Sequence, residues 1–94
     1  MKDKANFLRI LGDETKLKLI QLLLGGELCV CVLYPALERA QSTISKHLND
    51  LERIGILKSR REGKSVYYSI SDKRVLALCR LLDIKPKKIS KMTC

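Results

Sequence analysis

Residues 41–55 decide the fold of this chain; they read Gln-Ser-Thr-Ile-Ser-Lys-His-Leu-Asn-Asp-Leu-Glu-Arg-Ile-Gly. Ile44, Leu48 and Leu51 recur at helical spacing and form a narrow apolar stripe, and the positions between them are short polar or basic side chains. Ser42 is a suitable N-cap, and Gly55 marks the end of the segment. The pattern predicts a helix that packs one face on a core and presents a hydrogen-bonding face outward.

The segment that follows changes from helical to strand-like periodicity. Residues Ile56–Arg60 and Ser65–Ile70 are rich in β-prone side chains, and the polar connection Arg61–Lys64 contains a glycine, which indicates a β-hairpin. Tyr67 and Tyr68 fall on opposite faces of the second strand. We therefore expect one of them in the core and the other on the surface, and the sequence does not say which.

The rest of the chain is predicted to be mainly helical. Asp13 and Asp72 are good N-caps, and the helix after Asp13 carries a wide leucine-rich stripe that makes it the buried centre. Leu17, Ile20 and Leu24 define that stripe. The remaining predicted helices cover Lys2–Leu11, the second half of Glu27–Leu37, and a stretch after Asp72 with Val75, Leu78, Cys79 and Leu82 at helical spacing.

The order is helix, helix, short helix, helix, hairpin, helix. A short helix, a turn and an amphipathic helix with a polar face make a helix-turn-helix, and a hairpin behind it makes a wing. The predicted fold class is therefore mostly α with a β-hairpin, a winged helix-turn-helix. We expect one domain over residues 1–84 and a basic tail over residues 85–94, because no internal repeat or linker divides the chain.

The polar helix and the hairpin are candidate DNA contacts. Reading a major groove requires hydrogen-bonding side chains near the start of a helix, with phosphate contacts around them. Four basic residues against one glutamate give residues 58–64 a net charge of +3, which suits a wing on the DNA backbone. The alternatives are an N-capping run on a solvated helix and a hairpin made soluble by charge. The candidate residues are Gln41, Ser42, Thr43, Ser45, Lys46 and His47 in the helix, and Arg60, Arg61 and Lys64 in the hairpin.

Net charge and hydropathy restrict the class of protein. The chain has 94 residues and a net charge of +9, which favours an anionic partner such as nucleic acid. No apolar run reaches the roughly 18 residues of a transmembrane helix, and the amino-terminal residues do not resemble a signal peptide. We expect a cytoplasmic protein without a membrane partner. An enzyme is not expected, because the single histidine is already placed and no nucleophile–base arrangement is evident.

Cys29 and Cys31 form the candidate sensor site. In mid-helix, residues two apart are separated by about 200° and their thiols point away from each other. Pro35 disfavours a regular helix through this region unless it lies in the first turn or the helix is kinked, and either option leaves the two cysteines at or just before a helix start. There both thiols can converge on one thiophilic ion. The alternative is a pair of buried, packed cysteines.

The other two cysteines have different predicted roles. Without an export signal, reduced thiols fit better than a disulfide scaffold. Two thiolates are an incomplete site for a soft ion, so further ligands must come from elsewhere. Cys79 lies on the apolar stripe of the last helix and is expected to pack there. Cys94, at the end of the basic tail, is the candidate third ligand, with an unused terminal thiol as the alternative.

Five segments together resemble the ArsR/SmtB family of metal- and metalloid-responsive repressors: Glu27–Leu33, Gln41–Leu48, Leu51–Leu57, Arg60–Lys64 and Val66–Tyr68. The resemblance covers roughly residues 5–82. It implies a homodimer formed by the first and last helices, bound to a palindromic double-stranded operator and released when the sensor site is loaded. It also implies that Cys29 and Cys31 are the first two thiolates of an arsenite-type site, as in arsenical resistance, which also serves antimony and, with other ligands, cadmium or lead.

Two positions depart from the arsenite-sensing pattern. Tyr34 stands where that pattern has a third cysteine, and Val32 stands where it has an acidic residue. The last helix also lacks the ligands of the zinc-sensing branch. The resemblance therefore implies As(III) or another thiophilic ion as inducer, with no organic cofactor and with a third thiol from Cys94 or Cys79. A redox switch that uses the same cysteines, and a basic nucleic-acid-binding module with structural cysteines, remain alternatives.

Overall fold

The structure, a computed structural model, describes residues 1–87. Within them, helices and strands follow the predicted order, with one short strand added before the third helix. The elements are α1 (Lys2–Leu11), α2 (Glu14–Leu23), β1 (Leu28–Cys29), α3 (Val30–Ala36), α4 (Gln41–Arg53), β2 (Leu57–Glu62), β3 (Ser65–Ile70) and α5 (Lys73–Leu81). The mostly helical fold with a β-hairpin is confirmed.

The core is centred on α2 and α4. Leu19 and Ile20 of α2 are fully buried, as expected for the central helix. Leu17 and Leu24, which the sequence placed on the stripe, are only half-buried, because α2 turns its Leu19–Leu23 side toward the other elements. The predicted inward stripe of α4 is confirmed, since Ile44, Leu48 and Leu51 are at most 1% exposed.

Side-chain caps begin two of the helices as predicted. Asp13 accepts a hydrogen bond from the backbone of Lys16 at 3.0 Å, and Asp72 accepts one from Arg74 at 2.8 Å. The prediction for Ser42 is wrong. The N-cap of α4 is Ala40, which has extended backbone angles and no side chain able to cap, so Ser42 lies exposed in the first turn instead.

The three strands form an antiparallel sheet in the order β1-β3-β2. The β2–β3 connection is shorter than predicted, because Glu62 pairs with Ser65 and leaves a two-residue turn. Gly63 adopts φ +61° there, the conformation that favours glycine at the first position of such a turn. β1 was not predicted, because two residues are too short to show a strand period.

The short helix α3 contains Pro35 in its second turn, not in its first, and the helix ends one residue later. Leu33 of this helix is fully buried, so its packing in the core holds α3 in place. In the third strand, Tyr68 joins the core and Tyr67 stays half-buried at the surface, which decides between the two tyrosines. No helix among residues 1–87 is long and apolar enough to cross a membrane.

Leu48→Ala tests the packing of α4 on the core. We expect it to lower the free energy of unfolding by about 2–5 kcal/mol, because it leaves a cavity at a fully buried position. The matched control is Asn49→Ala on the exposed face of the same helix, with an expected change within about 0.5 kcal/mol. Urea unfolding followed by circular dichroism measures both. Equal losses would contradict the assigned orientation of α4.

Candidate nucleic-acid interface and thiol site

The first two turns of α4 present an exposed polar surface. α3, the connection 37–40 and α4 make the helix-turn-helix, and the amphipathic pattern of α4 turns its polar side away from the core. Among the residues predicted to contact DNA, those with exposed side chains in this helix are Gln41, Ser42, Thr43 and Lys46. These side chains can donate and accept hydrogen bonds at base edges or bind phosphate.

Ser45 has a partner inside the protein. Its hydroxyl lies 2.7 Å from the hydroxyl of Tyr34 on α3, and both residues are half-buried. Tyr34 is the residue at the third-cysteine position of the arsenite-sensing pattern. In this chain, Tyr34 therefore connects α3, which begins after Cys29, to α4, which carries the exposed polar surface.

His47 lies toward α2, on the inner edge of the polar surface. It is half-buried, and among residues 1–87 its Nδ1 is the buried side-chain polar atom without a hydrogen-bond partner. Burial lowers the pKa of His47, with nearby Lys16 acting in the same direction, so the ring is neutral at pH 7. Lys16 is itself buried and pairs with Asp50 of α4 at 3.7 Å. The Lys16–Asp50 pair joins α2 to α4.

The three hairpin residues predicted to contact DNA differ in their contacts within the protein. Arg61 and Lys64 are exposed near the turn. The Arg60 guanidinium donates two hydrogen bonds to Glu27, at 2.8 and 2.7 Å, and one to Glu62 at 2.6 Å. The hydrogen bonds from Arg60 lower the pKa of Glu27, and the bonds to both carboxylates raise the pKa of Arg60. Arg60 is therefore engaged within the protein.

The sulfur atoms of Cys29 and Cys31 converge at the start of α3. Cys29 is the last residue of β1 and the N-cap of α3, with extended backbone angles, and its sulfur accepts a hydrogen bond from the Cys31 backbone at 3.4 Å. The structure joins the two sulfurs as a disulfide across a Cα–Cα distance of 5.3 Å. The predicted position at a helix start is confirmed, and these thiols can act as a pair.

Of the two remaining cysteines, the structure describes Cys79, which is not joined to this pair. Cys79 is buried in the core, as predicted, and burial raises the pKa of its thiol. Cys94 lies outside the described residues. Val32, at the acidic position of the pattern, is buried in the core. Across residues 1–87, no group of three or more His, Cys, Asp or Glu side chains is arranged to hold a metal ion.

A surface groove of about 580 Å³ leads from Cys31 to the start of α4. Its lining includes Cys31, Tyr34, Arg39 and Gln41. Cys31 therefore borders an open groove that a small reagent can enter.

Two contacts were not predicted from the sequence, Tyr34–Ser45 and Glu27–Arg60. Each joins residues that are distant along the chain, 11 and 33 positions apart, so no local pattern contains them. A weak indication existed for the second contact, because Glu27 is the acidic residue next to the predicted sensor segment and the hairpin is strongly basic.

Tyr34→Phe tests the contact between α3 and α4. We expect the free energy of unfolding to fall by about 0.5–1.5 kcal/mol, because one half-buried hydrogen bond is removed while the ring is retained. Ser45→Ala is expected to cost a similar amount, and the double variant about the same as either single variant. Denaturant unfolding measures all three. Additive losses of stability would show that the two hydroxyls do not interact.

Comparison with known proteins identifies the family. The family of bacterial regulatory proteins described as arsR matches residues 13–59. An uncharacterized HTH-type transcriptional regulator of Methanocaldococcus jannaschii is 41% identical over 84% of this chain and 90% of its own length. A homolog of the cadmium resistance regulatory protein CadC from Staphylococcus aureus is 44% identical over 81% of this chain and 64% of its own length. The arsenical resistance operon repressor of Escherichia coli is 48% identical over 67% of this chain and 55% of its own length.

Solved structures share the fold. HlyU from Vibrio cholerae superimposes with a TM-score of 0.80 and 34% identity, over 86% of this chain and 88% of that one. A second match is a homodimeric winged helix-turn-helix DNA-binding domain from Mycobacterium bovis, a possible ArsR-family regulator. It has a TM-score of 0.78 and 29% identity, over 88% of this chain and 77% of that one. The chain therefore belongs to the arsR family of bacterial regulatory proteins and is a DNA-binding transcriptional repressor with a winged helix-turn-helix, not an enzyme.

Proposed function

We propose that this repressor binds its operator as a homodimer and is released when a thiophilic ion, such as As(III), binds Cys29 and Cys31. One observation carries the proposal: the two sulfurs converge at the N-cap of the helix that precedes the exposed polar helix. A ligand at this position acts on the first half of the helix-turn-helix. The names of the cadmium and arsenical resistance relatives support a thiophilic inducer.

The chemistry of the pair suits trivalent arsenic. In the reduced protein, each thiol displaces one hydroxyl of arsenous acid as water, so two thiols form two As–S bonds and release two water molecules. The backbone N–H of Cys31 is directed at the Cys29 sulfur. The described residues supply two soft ligands, so the third position on the ion is taken by Cys94 or by a ligand that the ion retains.

DNA recognition is assigned to the exposed residues of α4 and the hairpin tip. Ser45 and His47, which were predicted to join them, are half-buried, and we propose that they position the helix. The remaining residues divide by chemistry: Gln41, Ser42 and Thr43 reach base edges, and Lys46, Arg61 and Lys64 bind phosphates.

Dimerisation is assigned to α1 and α5. Apolar side chains that the fold leaves exposed lie on these helices or directly after them: Leu8, Leu76, Leu81 and Leu82. A second copy of the chain would cover them, and the homodimeric relative supports this arrangement. Two copies place two α4 helices in successive major grooves of a palindrome.

The disulfide favours a second candidate signal, oxidation of the same pair. Two thiols lose two electrons and two protons to an oxidant such as hydrogen peroxide, which is reduced to water, and the Cys29–Cys31 disulfide forms. This reaction and ion binding are mutually exclusive, because a disulfide offers no thiolate. Both act at the start of α3.

Lys46→Gln and Arg61→Gln test the assigned phosphate contacts. Each is expected to weaken operator binding and to reduce the slope of log K against log salt concentration by about 0.9 for every phosphate that is no longer neutralised. Fluorescence anisotropy with a labelled operator at several salt concentrations measures both quantities. Lys18→Gln, at an exposed lysine of α2, is the control with the same charge change. An equal reduction in slope for the control would contradict the assignment.

Cys29→Ser and Cys31→Ser test the thiol site. We expect arsenite to weaken operator binding by the reduced wild type about 5- to 150-fold, the usual range for coupled sites. Either substitution abolishes the response, because one As–S bond can no longer form. A parallel arm with hydrogen peroxide and thiol titration tests oxidation, which the same variants also abolish.

Cys79→Ala is the control and keeps the response, since Cys79 is buried in the core and is not joined to the pair. Cys94→Ala tests the third ligand and weakens the arsenite response without changing the peroxide response. Normal release of either sensor-site variant, Cys29→Ser or Cys31→Ser, by both reagents would overturn the proposed site.

A further inference from the structure

Arg60 of β2 is held by groups from three parts of the chain. Its Nε and Nη2 donate to the two carboxylate oxygens of Glu27 at 2.8 and 2.7 Å, and its Nη1 donates to Glu62 at 2.6 Å. The guanidinium carbon also lies 4.6 Å from the centre of the Tyr67 ring. The contact with Glu27 is bidentate and spans 33 positions of sequence, so it joins two segments that only the tertiary structure brings together.

The same residues line up across the sheet. Cys29 of β1 pairs with Tyr67 of β3, and Tyr67 pairs on its other side with Arg60 of β2. Glu27 lies two residues before Cys29. The segment with the first sensor cysteine is therefore fixed to the hairpin twice, by the backbone pairing of β1 with β3 and by the Glu27–Arg60 contact.

We propose that the Glu27–Arg60 pair is a latch between the thiol site and the wing, and that Arg60 is a positioning residue. A change of Cys29 between its reduced, ion-bound and disulfide forms shifts β1, and the latch passes that shift to the hairpin that contacts DNA. The signalling role rests on the proposed function, whereas the mechanical connection between residues 27–29 and the hairpin does not.

Geometry, more than stability, supports this role. The side chains of Arg60 and Glu27 are 51% and 34% exposed, and ion pairs with such exposure contribute little to folding. A bidentate pair fixes the orientation of the two side chains as well as the distance between them. A contact that couples the position of one segment to that of another requires both. A phosphate contact by Arg60 would compete with Glu27 for the same guanidinium edge, whereas the exposed side chains of Arg61 and Lys64 at the hairpin tip can meet phosphate directly.

Charge-neutralising variants distinguish a latch from a direct effect of the two charges on the reactivity of the thiols. Glu27→Gln removes a negative charge near the thiols and Arg60→Gln removes a positive one, so a charge effect alone changes thiol reactivity in opposite directions. Loss of a latch loosens the Cys29 segment in both variants and therefore changes reactivity in the same direction.

The first measurement is the rate at which dithiobis(nitrobenzoate) modifies the reduced, DNA-free protein in a Cys94→Ala background. We expect Glu27→Gln and Arg60→Gln each to raise the rate about two- to fivefold, as the loss of an exposed ion pair allows. The double variant matches the single variants. Glu14→Gln, which removes an exposed ion pair with Lys18 on α2, is the matched control and leaves the rate unchanged.

The second measurement is the ratio of operator Kd with and without arsenite, and with and without peroxide. The latch predicts a smaller ratio in Glu27→Gln and in Arg60→Gln than in the wild type. Opposite effects of the two variants on thiol reactivity, or wild-type reactivity in both, would overturn the latch. A wild type that responds to neither reagent would overturn the proposed function instead, and the reactivity measurement would still decide on the latch.

Discussion

The position of Cys29 is the constraint on which the arrangement of this repressor depends. It is the last residue of β1, paired with Tyr67, and also the N-cap of α3, with its sulfur facing the backbone of Cys31. A single residue thus belongs both to the sheet of the wing and to the first helix of the helix-turn-helix. Backbone pairing and capping both depend on its extended conformation. Under the proposed function, a change in the bonding of its sulfur acts on both of these elements.

The contacts that lead away from Cys29 and Cys31 have different physical characters. Toward the polar helix α4, the contact is a half-buried hydrogen bond between Tyr34 and Ser45. Toward the wing, it is an exposed bidentate ion pair that contributes little to stability but has a defined direction. The core beneath them, centred on α2 and α4, is apolar and buried.

Polar groups are concentrated where α4 meets α2. Lys16 is buried and paired with Asp50, and His47 is kept neutral by its burial. A buried ion pair is weak evidence for stability, and here it joins α2 to α4. The helix α4 is therefore oriented by polar contacts on one side and by its apolar stripe on the other. Its outer residues remain exposed and able to form hydrogen bonds with a ligand.

The sequence alone determined the order of elements, the apolar stripe of α4, the caps at Asp13 and Asp72, and the place of the cysteines at a helix start. These features depend on short-range periodicity and local backbone chemistry, which residues close in sequence specify. Tertiary structure decided which tyrosine enters the core and that Leu28–Cys29 forms a strand. It also decided that Ser45 and Arg60 bind other side chains of the protein and that His47 is half-buried. Those outcomes depend on segments that are distant along the chain, and no local pattern encodes such pairings.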